Sequence, residues 1–456
     1  MRTTPTLPPV PRRAQRIVDT LRRPLPGGTF LVGAGLIVSG LTAYGFLILS
    51  FRALDKVNYT ALNGLWVFVF VLAPGLFLPL EQEVGRAVSD RRARGLGGGP
   101  VIRRAALAGS ALAGALVVLT VAVAAGTPLV SKIFAGNRGL ALCLVLGLLA
   151  YCVQHLTRGT LAGSERFDRY GMILAVEGVI RLLPCAALAA AGVSNPFYYG
   201  LCLAIPPVVA TLVCIRGQHG LLTPGPEARW SELSTNLGYL LGGSLCAQTL
   251  SYAPFLGAQL LSSGAQRTAV ADFIVGLFLA RIPIFLFQAV QAALLPKLAA
   301  LAGTGRHGEF RRGLRELITL VVAIGLVGVI AGGTAGPFVG KILFGSKFNL
   351  GSGDLALLAA GSALFILALT LAQALIALLG HARALAGWVS GLVTFVIVTA
   401  LAGSDLFLRV EVGFIAGTLV SAATMGALLI HQLAVGVQST SLGSLVDQIE
   451  HEPLEI

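Results

Sequence analysis

Twelve apolar runs, each close to 20 residues or longer, constrain this chain more than any other feature. They lie at 29–51, 62–82, 105–125, 139–157, 171–192, 197–215, 238–261, 269–295, 316–339, 354–379, 385–403 and 412–434. A bilayer core of about 30 Å takes roughly 20 apolar residues per helix. Within it, backbone polar groups are satisfied only by helices or closed barrels. The runs are too long for strands and lack period-two alternation. An all-α polytopic membrane protein with 12 transmembrane helices is therefore expected. Composition agrees: 55% of the residues are hydrophobic and 12% charged, about half the charged share of a soluble domain. A soluble enzyme or nucleic-acid-binding module is excluded, because so few polar residues cannot cover a globule.

The chain is basic, with 33 Lys and Arg against 20 Asp and Glu. In so apolar a chain this points to the cytoplasmic face of a membrane before nucleic acid. With the N-terminus inside, the inner segments hold 23 Lys and Arg and the outer loops 8, which favours cytoplasmic termini. The expected layout is a basic cytoplasmic tail (1–28), a first lobe of six spans (29–216), a cytoplasmic linker (217–237), a second lobe of six spans (238–434) and an acidic cytoplasmic tail (435–456). The basic tail reads as retained rather than cleaved, since the run after it is too long for a signal peptide. Ile17, Val18 and Leu21 among its arginines suggest a short helix on the headgroups. In the acidic tail, Leu442, Leu445, Val446 and Ile449 form a helical stripe. It reads as a surface helix or as a segment docked on the basic tail. Cys143, Cys152, Cys185, Cys202, Cys214 and Cys246 sit in apolar runs without CxxC spacing and behave as small hydrophobes. No metal or cofactor is expected.

The sequence repeats at an offset of 209 residues. Pro128-Leu-Val-Ser-Lys-Ile-Phe-Ala-Gly136 returns as Pro337-Phe-Val-Gly-Lys-Ile-Leu-Phe-Gly345, with five of nine positions identical. The same shift carries the first span onto the seventh. Six spans per repeat keep the two halves in the same orientation, a parallel repeat about an axis along the membrane normal. Two such lobes face to face enclose a central cavity, which suits alternating access.

Ionisable side chains inside the membrane are costly and invite roles. Glu177 and Arg181, at i,i+4 on the fifth span, either neutralise each other or set a cation towards the cavity. Arg281, mid-way along the eighth span, has no charged partner at i±3 or i±4 and calls for water, a cross-helix carboxylate or an anionic ligand; a wet cavity is the preferred reading. Asp272 reads as an interface residue or a proton or sodium site. Glu81 and Glu83 end the second span at the cytoplasmic mouth, where Arg86, Arg91 and Arg92 would satisfy them or leave them to gate it. Ser244, Gln248 and Ser251 form a polar stripe on the seventh span with Tyr252 beside it. Arg281, Gln288 and Gln291 share a face of the eighth. These hydroxyls and amides suit sugar hydroxyls, bound water or contacts between helices.

Three segments carry a family likeness. Leu65-Trp-Val-Phe-Val-Phe-Val-Leu-Ala-Pro-Gly-Leu-Phe-Leu-Pro-Leu-Glu-Gln-Glu83, Val176-Glu-Gly-Val-Ile-Arg-Leu182 and Ile282-Pro-Ile-Phe-Leu-Phe-Gln-Ala-Val-Gln-Ala-Ala-Leu-Leu-Pro-Lys297 resemble spans of Wzx-type polysaccharide exporters of the multidrug/oligosaccharidyl-lipid/polysaccharide (MOP) flippase superfamily. The likeness runs over 29–434. It implies a flippase, not an enzyme, of the bacterial plasma membrane, moving a polyprenyl-diphosphate-linked oligosaccharide to the outer leaflet. Membrane lipids and polysaccharide-assembly proteins would be its partners. It implies a cationic cavity for the diphosphate, a role falling to Arg181 and Arg281, with Gln248, Ser251, Gln288 and Gln291 lining the site. Glu177, Asp272 and Glu81 would serve coupling or gating. The lipid II flippases of the superfamily have two further helices that this chain lacks. The rival readings are a cation-coupled multidrug antiporter of the same superfamily, a major facilitator, a membrane glycosyltransferase or polymerase, and a non-transporting scaffold.

Overall fold

A computed structural model describes residues 29–233, 236–284, 287 and 306–450. Their regular elements are helices: α1 Thr29–Ala53, α2 Lys56–Ala93, α3 Gly99–Gly126, α4 Leu129–Ile133, α5 Arg138–Gly163, α6 Phe167–Ala190, α7 Pro196–Ala204, α8 Pro206–Ile215, α9 Leu237–Leu261, α10 Arg267–Ala280, α11 His307–Thr334, α12 Gly336–Phe344, α13 Ser352–Ala377, α14 His381–Leu401 and α15 Leu406–Glu450, with two 3₁₀ turns. Ten segments are long and apolar enough to cross a membrane. Of the other two expected spans, α9 has the length but carries the polar stripe, and the eighth is broken.

Local chemistry explains most boundaries. Asp55 caps α2 by accepting from the backbone N–H of Val57 and Asn58, at 2.9 and 3.0 Å. Asn195 does the same for α7 through Phe197 N–H, and Pro196 fills the first helical position. The sixth run is two helices that meet at Ile205, where the pair Pro206-Pro207 follows. In the eighth run α10 ends at Ala280 with Arg281 as its cap, and Ile282, Pro283 and Ile284 are helical again beyond that break. Pro283 has no N–H to donate back across the break. Residues 288–305, with Gln288, Gln291 and part of the loop 296–315, lie outside the described residues.

The packing follows the repeat. Helix α1 lies along α6 as α9 lies along α14. The pairs α2–α5, α3–α5 and α6–α8 correspond in the same way to α10–α13, α11–α13 and α14–α15. The short helices α4 and α12 fall within the nine-residue repeat; α12 is capped by the left-handed Gly345 (φ 89°), and α4 is followed by the left-handed pair Ala135 (φ 50°) and Gly136 (φ 79°). Helices α3 and α11 present Val118, Leu326, Val327 and Ile330 outward, as lipid-facing surfaces should.

The lobes meet mainly through α2 against α9, with further contact of α2 with α10 and of α1 with α12. Helix α2 has 38 residues, about 57 Å at 1.5 Å per residue, and so outreaches the bilayer. Its far end holds part of the linker: Arg91 Nη2 donates to the Pro226 carbonyl at 2.6 Å, and Arg104 on α3 pairs with Glu227 at 2.9 Å.

Candidate functional site

The break after α10 places Arg281 at the boundary of the lobes, 7% exposed. Its Nη2 donates to Ser251 Oγ on α9 at 2.8 Å. Its guanidinium lies 3.9 Å from the centroid of the Tyr252 ring, a desolvated cation–π contact of about 2 kcal/mol. Nη1 is buried and has no hydrogen-bond partner among the described residues. Arg281 and Tyr252 share a small cavity with Ala43, Tyr44 and Leu47 of α1, Trp66 of α2 and Phe278 of α10. Tyr44 donates to the Phe278 carbonyl at 2.9 Å, across the lobes. Trp66 Nε1 is a second buried donor without a partner among the described residues.

The space around Arg281 is narrow in this conformation, and a larger cleft between the lobes opens beside Thr60, Lys132, Ile133, Gln259 and Val270. The space beside Arg281 admits about one water molecule, because Tyr44, Trp66, Tyr252 and Phe278 fill it. Ser251, of the seventh span's polar stripe, meets Arg281 of the eighth. Ser244 instead donates to the Pro74 carbonyl of α2 at 3.2 Å, a contact between helices. Gln248 is half-buried on α9.

Arg181 sits deeper in the first lobe, 2% exposed. It pairs with Glu177, whose oxygens also accept from Tyr151 Oη at 2.9 Å and Gln154 Nε2 at 3.0 Å. Its guanidinium stands 5.8 Å from the Trp66 ring centroid, so Trp66 separates it from the cavity that holds Arg281. The expected i,i+4 pair is formed, and both of its members are buried.

Glu81 departs from expectation. It is 4% exposed and is held inside the first lobe rather than at an arginine-rich mouth. His155 Nδ1 lies 2.6 Å from it, Arg158 Nη2 2.9 Å and Tyr170 Oη 2.7 Å. Glu83 does pair with Arg86, at 2.9 Å. Arg158, expected in an inner loop, is part of α5 and buried. Tyr151, Gln154, His155 and Arg158 thus form one face of α5 at i, i+3, i+4 and i+7 and tie two carboxylates into a polar column through the lobe. That spacing is visible in the sequence, and it is the signal by which the column is found.

Two more carboxylates complete the picture. Asp272 on α10 pairs across the lobes with Lys56 at 2.7 Å, which makes it an interface residue. Glu411, near the start of α15, is fully buried, and among the described residues neither of its oxygens has a partner. Among the described residues no group of His, Cys, Asp and Glu is placed to hold a metal ion.

Comparison with known proteins adds the fold. No family model matches. Two uncharacterized proteins of Mycobacterium tuberculosis (strain ATCC 25618 / H37Rv) are similar: one is 28% identical over 382 residues, covering 80% of this chain and 84% of that protein, the other 29% identical over 380 residues, covering 80% and 83%. Among solved structures, an inward-facing multidrug resistance MATE family transporter of the MOP superfamily superposes with a TM-score of 0.69 at 14% identity, over 93% of this chain and 98% of that one. An outward-facing structure of a transporter described in the same words gives 0.68 at 14%, over 90% and 94%. A MATE structure in a bent conformation gives 0.67 at 12%, over 92% and 100%. This multi-pass membrane protein therefore has the twelve-helix, two-lobed fold of the MATE transporters.

Proposed function

We propose that the protein is an alternating-access transporter that carries a polyprenyl-diphosphate-linked oligosaccharide from the inner to the outer leaflet of the bacterial plasma membrane. The observation that supports this reading is Arg281. A guanidinium buried between two lobes, with one donor nitrogen unengaged among the described residues, is matched to an anionic oxygen. The rings around it offer faces on which sugars stack, and Trp66 Nε1 offers a further donor. Arg181 is spent on Glu177, so the anion contact passes to Arg281 alone. Gln248 and Ser251 lie three residues apart on α9, and Gln288 and Gln291, outside the described residues, are proposed as further contacts to the sugar. The closed cavity is too small for such a cargo, so the lobes part to admit it while the polyprenyl chain stays in lipid. Glu81, with His155 beside it, and Glu177 are the buried groups by which ion binding would be coupled to that motion. Polysaccharide-assembly enzymes would supply and consume the cargo.

A second reading is favoured by the structural neighbours themselves, among them multidrug resistance transporters: a cation-coupled multidrug antiporter. It would want a free carboxylate at the lobe interface. Glu81 and Glu177 are each held by an arginine within one lobe, Asp272 is paired with Lys56 across the interface, and the charge beside the cavity, Arg281, is cationic.

The two readings separate in proteoliposomes. Flipping of a fluorescent polyprenyl-diphosphate oligosaccharide is expected to fall at least about tenfold in Arg281→Ala, the loss of one charged hydrogen bond, and less in Arg281→Lys. Full flipping by Arg281→Ala removes the diphosphate contact. Proton- or sodium-driven uptake of ethidium without glycolipid flipping establishes the antiporter.

A further inference from the structure

The nine-residue repeat has no part in the site around Arg281, yet the structure gives both copies the same neighbour. Each copy forms a short helix, α4 or α12, after which a left-handed glycine turns the chain away. The last carbonyls of a helix lack partners within it and carry partial negative charge. In α12 those of Ile342 and Leu343 accept from Arg52, in the last turn of α1: Nη2 lies 2.9 Å from Ile342 O and 2.7 Å from Leu343 O, and Nε 3.0 Å from Leu343 O. In α4 those of Ile133 and Lys132 accept from Gln259 Nε2, in the last turn of α9, at 3.0 and 3.5 Å.

Both bonds cross between the lobes, and they exchange under the repeat. Helix α1 corresponds to α9 and α4 to α12; Ile133 shifted by 209 is Ile342. The donors are not repeat mates, since Ser50 corresponds to Gln259 and Leu261 to Arg52. Each lobe has therefore found its own donor for a shared acceptor. Beside them the Lys56–Asp272 pair adds a third tie.

We propose that the repeated motif is the acceptor half of a twofold clasp: at the face where α1 and α9 end, each lobe grips the carbonyl end of the other's short helix and holds that face shut. The role rests on the transport reading, because a clasp serves a molecule whose lobes part. Opening the face requires Arg52 and Gln259 to exchange helix carbonyls for water. The Arg52 bonds are exposed and exchange at little net cost, and the buried Gln259 bond costs more to open, so the clasp is strong enough to bias the closed state and weak enough to release. Gln259 is the firmer half, 7% exposed, whereas Arg52 is exposed.

The test needs no cargo. Spin labels at Ser131→Cys and Ser263→Cys bracket the Gln259 half, in a protein whose native cysteines are replaced by alanine. Distances are measured in nanodiscs by pulsed electron resonance. Arg52→Met and Gln259→Glu keep side-chain bulk and remove the donors. Together they are expected to add a second, longer-distance population that Lys347→Met, on the same face, does not. Arg52→Lys, with one donor group where two carbonyls want a fork, gives the same shift at smaller amplitude and serves where the double variant fails to assemble. An unchanged distance distribution overturns the clasp. Because the readout is a distance, a shift with no glycolipid flipping would leave the clasp standing and remove only the cargo.

Discussion

Removing Arg181 would leave Glu177 inside the first lobe with only Tyr151 and Gln154 as partners. Breaking a buried pair from one side costs about 3–5 kcal/mol, whereas replacing both partners by neutral groups is often tolerated. Arg181→Ala is therefore expected to lower stability by about that amount, and the double variant Glu177→Gln/Arg181→Met to recover most of it. Chemical unfolding in detergent measures both. Recovery would establish that the pair is architectural; a double variant as unstable as Arg181→Ala would mean that the guanidinium has partners beyond Glu177. This also bears on transport assays, since loss of activity in an Arg181 variant would mix unfolding with binding, and Arg281 is the informative position. Reading the sequence located both arginines and the carboxylate at i−4, because charge inside an apolar run stands out. It could not supply Glu81's partners. His155, Arg158 and Tyr170 are 74, 77 and 89 residues away, and only the packing of α2, α5 and α6 brings them together.

Elements were far more legible than contacts. A hydrophobic run long enough to cross a bilayer has one stable backbone solution there, so ten of the twelve expected spans appear as long apolar segments. The exceptions had visible causes: Pro283 beside the break at Arg281, and the polar stripe in α9. What the runs do not reveal is which faces meet. In lipid, helices associate through close packing rather than hydrophobic exclusion, and small residues set the approach. Gly35 on α1 and Gly171 on α6 face each other so closely that a Cβ on either would strike the other helix's backbone. Gly114 on α3 has open space around it. Gly171→Ala is expected to destabilise by about 1–3 kcal/mol through overpacking. Gly114→Ala should be neutral or stabilising by up to about 1 kcal/mol from helix propensity. Thermal unfolding followed by tryptophan fluorescence compares them, and equal effects would mean that α1 and α6 are not in backbone contact.

At the scale of the whole molecule, the proposed transport has a direction that depends on which face is inside. The 209-residue repeat was readable because its two copies make one short helix each, and the packing pairs of the lobes obey the same shift. Orientation rests on something else, the surplus of Lys and Arg in the segments at one end of the helices. Some of that surplus is neutralised once folded: Arg104 by Glu227 and Arg91 by Glu232, 3.4 Å away. The rule that sets topology counts Lys and Arg and is nearly blind to carboxylates, so these pairs do not weaken it. For the anionic cargo proposed above the consequence is large. A potential negative inside favours outward movement by about 2.3 kcal/mol per charge per 100 mV, and a reversed molecule would work against the same field. Ala93 and Ser346 are both exposed and lie at opposite ends of the helices. In intact cells an impermeant thiol reagent is expected to label Ser346→Cys and to spare Ala93→Cys until the membrane is opened. Labelling of Ala93→Cys from outside would invert the topology, and with it the sign of the electrical contribution to any outward flipping.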